Sequence, residues 1–157
     1  MMNLSGTYVV KADQKTVWST LLDPEALQHC LPGCQELVRQ GPDQYQATLQ
    51  VGIAAITGTY TGKVQITDRQ EPREYQLLVE GTGNGGRVRG TGRLELAPEG
   101  PENTKISYQG DAQVFGPIAA VGQRLLSGAA KLLIGQFFKC LERQLGSQES
   151  DLELGTT

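Results

Sequence analysis

The chain has 157 residues, 38 % hydrophobic and 20 % charged, which sets one globular domain with a single core. A formal net charge of −3, with basic residues scattered singly, excludes an electrostatic nucleic-acid surface. Three cysteines and no basic-then-apolar start point to a cytosolic protein with reduced thiols and no signal peptide. The longest mostly apolar stretch, 118–140, carries Arg124, Lys131 and Lys139, which argues against a bilayer span.

Residues 4–11, rich in Thr, Tyr and Val, read as a first strand. Asp13 then caps a short helix with Val17, Trp18, Leu21 and Leu22 at helical spacing. Asp23, Pro24 and Glu25 supply N-cap, N1 and dipole residues for a second helix to about Cys30. Pro32-Gly33 stops it.

From Cys34 to Phe115 the period switches to two. Tyr45, Ala47, Leu49 and Val51 alternate with glutamines and a threonine. Tyr60, Gly62, Val64 and Ile66 follow the same rule, as do Tyr75, Leu77 and Val79. So do Val88, Gly90, Gly92, Leu94 and Leu96, and then Ile106, Tyr108, Gly110, Ala112 and Val114. Such alternation means one buried and one wet face, as in an antiparallel sheet. The stretches QGPD, DRQEPRE, NGG and PEGPEN are the turns between strands. A long helix is expected from Gly116-Pro117 to about Leu145, followed by a disordered polar tail, 146–157.

These elements give an α+β helix-grip architecture: a curved antiparallel sheet of about seven strands gripping a long C-terminal helix, with two short helices after the first strand. Residues 1–145 form the domain.

Glycine is unevenly placed. The central inward positions of three strands are Gly62, Gly90, Gly92, Gly110 and Ala112, with larger residues at the strand ends. Glycine weakens a strand and marks a bend or a close approach. Two readings stay open: the glycines let the sheet curl and the helix sit close, or they line a cavity for an apolar ligand. On the long helix, Leu125, Leu126, Ala129, Leu132, Leu133, Phe137, Cys140 and Leu141 spread over roughly 200°, wider than an ordinary surface helix needs. The helix is therefore either gripped on three sides or keeps an apolar flank for a ligand, a partner or a membrane surface. The apolar segment 51–58, with Ile53 and Ile56, is either a lid or packing against the short helices.

The expected cavity lining gathers Trp18 and Leu22 from the first short helix, and Leu49, Val51 and Ile56 before the fourth strand. It continues with Tyr60, Gly62, Val64, Leu77, Val79, Gly90, Gly92, Leu94, Tyr108, Gly110, Ala112 and Val114 from the sheet. Ile118, Leu125, Leu126, Ala129, Leu133 and Phe137 complete it.

Catalytic and metal chemistry find no constellation. His29, Cys30 and Cys34 would be three ligands, but C-x3-C around Pro-Gly matches neither a zinc signature nor a redox C-x-x-C, so the cysteines read as small apolar residues. Ser127-Gly128 lies mid-helix, with no nucleophile elbow. The glycine-rich run 81–92 is followed by a strand, so it is no phosphate loop. No catalytic residue, metal or cofactor is expected.

Several segments together resemble the G-subunit family of carbon monoxide dehydrogenase, within the START-like (SRPBCC) superfamily. They are DPEALQHCLPGC (23–34), GTYTGKVQI (58–66), GNGGRVRGTGRLEL (83–96) and the last strand with its helix (108–141), including Gly116-Pro117-Ile118-Ala119 and Phe137-Phe138. The resemblance covers about residues 2–145. It implies a cup binding hydrophobic ligands between sheet and long helix, and a non-enzymatic accessory of a molybdenum hydroxylase. It further implies a quinone-like or other lipid ligand and a place at the inner face of the cytoplasmic membrane. A START-like small-molecule enzyme of cyclase or isomerase type, or an interaction scaffold with a filled core, would use the same fold. The polar end GSQESDLELGTT leads to the expectation of peripheral membrane contact instead of a permanent anchor.

Overall fold

Seven strands form one antiparallel sheet in the order β1-β7-β6-β5-β4-β3-β2. This computed structural model describes residues 2–52 and 57–156, with side chains up to Leu145. The strands are β1 (Met2–Val10), β2 (Cys34–Gly41), β3 (Gln44–Val51), β4 (Gly58–Gln70), β5 (Glu74–Gly83), β6 (Gly86–Pro98) and β7 (Thr104–Phe115). Two short helices, α1 (Gln14–Leu21) and α2 (Pro24–Cys30), carry the chain from one sheet edge to the other, because β1 and β2 are the two edge strands. The long helix α3 (Gln123–Thr156) follows β7.

Local chemistry explains the boundaries. Asp23 accepts a hydrogen bond from the Glu25 backbone N–H at 3.1 Å, with Pro24 in the first turn, so α2 starts as its residues dictate. Gly33 sits at φ +72°, and a Cβ there would lie 2.0 Å from the Gln50 carbonyl oxygen. The Pro-Gly turn into β2 therefore requires glycine at this position. At the other end, α3 begins later than the sequence suggests. A 3₁₀ turn, Pro117–Val121, comes between β7 and α3, bounded by Gly116 at φ +91° and Gly122 at φ +103°. A helix cannot run through residues held in that backbone region. The backbone of α3 continues beyond Leu145 as far as Thr156.

The solid core lies at one end of the sheet. Val17, Trp18 and Leu21 of α1 meet Tyr45, Ile66, Tyr75, Leu94, Leu96 and Ile106 of the sheet and Phe138, Leu141 and Leu145 of α3. Full burial of one such side chain contributes about 1.5–3 kcal/mol. Trp18 stands edge-on to Tyr75 with centroids 5.4 Å apart. Tyr8, Tyr108 and Phe138 stack, with Tyr8 and Phe138 at 4.5 Å. Gly135 lets α3 come this close to β1, since even a Cβ there would be only 3.6 Å from the Tyr8 hydroxyl.

One expectation is overturned. The cysteines do not all act as free apolar thiols: Cys30 and Cys140 form a disulfide, with Cα atoms 5.3 Å apart. The partners are 110 residues apart, and only the return of α3 beside α2 brings them together. Local spacing around HCLPGC carries no trace of this pairing. Cys34 remains a thiol, and partial burial raises its pKa. Among the described residues, no group of His, Cys, Asp and Glu could hold a metal ion, and no helix is long and apolar enough to cross a membrane.

Candidate functional site: an open trough on the inner face

Strand register turns the period-two pattern into rows across the sheet. One row reads Ile66–Leu77–Gly92–Gly110–Leu4 from β4 to β1. The next reads Tyr45–Val64–Val79–Gly90–Ala112–Met2, and a third Ala47–Gly62–Gly81–Val88–Val114. The edge row is Leu49–Tyr60–Gly83–Gly86. Leu77, Val79, Val64, Val88, Val114 and the glycines between them are only half-buried, unlike the core residues beyond Leu94. The inner face is thus filled at one end and open toward the other.

The glycines divide into three kinds. A Cβ at Gly62, Gly81 or Gly92 would meet nothing nearer than a neighbouring strand's carbonyl oxygen, at 3.7, 4.0 and 3.6 Å. At Gly90 and Gly110 the adjacent backbone oxygens are tighter, 3.1 and 2.8 Å, so these positions serve the close approach of strands. At Gly6 and Gly83 a tyrosine ring takes the place of a side chain: Tyr108 lies over Gly6, and Tyr60 over Gly83. At none of the five central inner glycines does an atom of α3 lie among the nearest neighbours of the added Cβ within 4 Å. The helix is not pressed onto the glycine floor.

Placement of the other expected lining residues is mixed. Trp18 and Leu94 belong to the solid core and close one end of the trough. Leu22 packs against that core, and its carbonyl accepts a hydrogen bond from the Tyr45 hydroxyl at 3.1 Å. Leu49, Val51 and Tyr60 stand half-buried at the opposite end. Ile118 is buried over Gly85 and Gly86. Leu126 and Ala129 are buried on α3, while Leu133 and Phe137 are half-buried. Leu125 does not face the sheet. It is 52 % exposed, and Leu132, one heptad on, is 51 % exposed. At about 100° per residue both point roughly opposite to buried Leu141. The wide apolar arc of α3 therefore keeps an uncovered flank. Ile56, and the apolar part of the lid expected at 51–58, fall within residues 53–56, outside the described residues.

Gly81, Gly83 and Tyr8 join the site without a mark of their own in the sequence. The pattern Tyr75, Leu77, Val79 extends by two steps to Gly81 and Gly83, so the first two are within reach of the alternation. Tyr8 needs the contact with α3.

Charge is kept off this face. The inward positions in these rows carry no carboxylate, lysine or arginine, while Arg89–Glu80 and Arg93–Glu95 pair on the outer face at 3.7 and 2.9 Å. Arg93 also binds Glu74, and that hydrogen bond holds its guanidinium protonated. Burial pushes the Tyr75 hydroxyl well above its ordinary range, and burial raises Tyr108 as well, so both stay neutral donors. Two polar surface hollows, about 360 Å³ beside Lys15, Ser19 and Asp23 and about 310 Å³ beside Ser5, Arg93 and Gln109, lie away from the trough.

Known proteins share this architecture. A solved conserved protein from Geobacillus kaustophilus is 42 % identical, with TM-score 0.90, over 93 % of this chain and 96 % of its own. A START superfamily protein from Mycobacterium smegmatis shares the fold at 18 % identity and TM-score 0.74, over 93 % and 98 % of the two chains. The Zhui aromatase/cyclase from Streptomyces sp. R1128 shares it at 15 % identity and TM-score 0.69, over 92 % and 93 %. No curated protein matches the chain. The family described as the G-subunit of carbon monoxide dehydrogenase (CoxG) matches residues 6–146, nearly the whole folded unit. A glycine-floored helix-grip domain with an uncharged inner face, matched over that span, belongs to the CoxG family of carbon monoxide dehydrogenase.

Proposed function

We propose that this protein is a non-enzymatic accessory module that holds an apolar small molecule in the trough between its sheet and α3. In this reading it links a molybdenum hydroxylase to a quinone-like or other lipid acceptor at the inner face of the cytoplasmic membrane. Family membership supports the accessory role. The observation that carries the ligand is the open space above Gly62, Gly81 and Gly92, on a face without charge. Burying roughly 200–300 Å² of apolar ligand there contributes about 5–8 kcal/mol before ordering costs. The Tyr60 and Tyr108 side chains flank the space at opposite ends, where they orient a ligand's polar atoms. The Cys30–Cys140 disulfide is compatible with a reducing compartment because both residues are at least nine-tenths buried.

Native mass spectrometry of the protein purified from its source tests the ligand. A mass increment lost on denaturation is expected. A bare chain from source, together with failure to bind any added apolar probe, leaves an interaction scaffold as the function. Co-purification of hydroxylase subunits tests the partner, and their absence from a cross-linked extract would remove that link.

A further inference from the structure

We infer that the trough takes a flat, uncharged polycyclic molecule lying face-on against bare backbone across β4 to β7, and not a flexible alkyl chain. This rests on the ligand-binding reading above and adds the shape of the ligand. Gly62 stands opposite Gly81, Gly92 stands opposite Gly110, and Gly90 lies in the row between the two pairs. The five join into one diagonal strip over four adjacent strands. At ~4.8 Å between strands and ~3.3 Å per residue along them, the strip spans roughly 20 Å.

Glycine in a strand costs about 0.5–1 kcal/mol against alanine. Crowding by neighbouring carbonyls accounts for Gly90 and Gly110. It does not account for Gly62, Gly81 or Gly92, where an alanine methyl would have room. What those three positions share is a surface without side chains, on which an aromatic face reaches the peptide planes themselves. An alkyl chain gains nothing from such flatness, since methyl and isopropyl groups line it equally well. The strip is bracketed by aromatic rings, with Tyr60 two residues from Gly62 and Tyr108 two residues from Gly110. The inward positions offer no charge to pair with a carboxylate or phosphate.

The test uses the full chain and Nile red, a flat uncharged dye, followed by fluorescence, with phenanthrene and hexadecanol as competitors. Phenanthrene is expected to displace the dye at about tenfold lower concentration than hexadecanol, a difference of about 1.4 kcal/mol. Gly62→Leu and Gly92→Leu are expected to weaken dye binding about tenfold, with Val9→Leu on the outer face as an unchanged control. Hexadecanol competing as well as phenanthrene overturns the flat-ligand inference and leaves the ligand-binding reading standing. No binding of dye or either competitor removes both. If the leucine variants fail to fold by circular dichroism, Gly62→Ala and Gly92→Ala replace them. A methyl at either position meets only ordinary contacts, so unchanged affinity for Nile red in the alanine variants overturns the inference.

Discussion

Gly92 and Gly110 face each other across β6 and β7, yet they are held by different physics. A methyl on Gly92 would rest 3.6 Å from the Gln109 oxygen, whereas one on Gly110 would press to 2.8 Å of the Thr91 oxygen. Gly92→Ala is therefore expected to be neutral or to stabilise by about 0.5 kcal/mol, through lower entropy of the unfolded chain. Gly110→Ala is expected to destabilise by about 1–3 kcal/mol, and urea midpoints of the two variants check the contrast. Tyr75 gives a pH prediction at the same scale. Its folded pKa is raised by burial, so its contribution to stability is present below the unfolded value of about 10. Above that pH the unfolded chain releases the proton and the folded chain does not. Stability should fall on the alkaline side, and Tyr75→Phe should flatten the fall in denaturation curves taken from neutral to alkaline pH.

At the scale of elements, α3 is two different objects. Its later described turns bury Phe138, Leu141 and Leu145 and carry the disulfide to α2, while its first turns leave Leu125 and Leu132 exposed. Leu141→Ala should cost about 2–5 kcal/mol, because α1, α3 and the sheet meet there and cannot collapse onto the gap. Leu125→Ala should cost less than about 0.5 kcal/mol. The disulfide closes a loop of 110 residues, a length for which the chain-entropy account gives about 4–5 kcal/mol. Cys140→Ser, or unfolding in dithiothreitol, should lower the melting temperature. An unchanged value would mean that packing of Leu141 and its neighbours alone sets the position of α3.

For the whole molecule, the consequence of a half-filled inner face is linkage. A ligand that binds only the folded chain raises its stability by about 2.7 kcal/mol at a hundredfold excess over its dissociation constant. Thermal shift with Nile red should therefore rise with dye concentration and vanish in Gly92→Leu. A shift that persists in Gly92→Leu would place the dye elsewhere, for example on the exposed leucines of α3.

Neighbouring residues alone specify the sheet, its seven strands and the inward set of side chains. Alternation with period two and capping by Asp23-Pro24 are local, and local chemistry is written in adjacent positions. The same alternation assigns a face to every position, so it also turns Gly62 and Gly92 inward. Long-range contacts settle the rest. Only register pairs Gly62 with Gly81, only the return of α3 joins Cys30 to Cys140, and only the stand-off of that helix separates glycines that cover a ring from glycines that leave a floor open. Leu125 shows the limit plainly: its helical phase makes it apolar-side, but which side meets the sheet depends on contacts more than a hundred residues distant in the chain. Such contacts are set by how the whole surface packs, and a single sequence does not encode them in any short span.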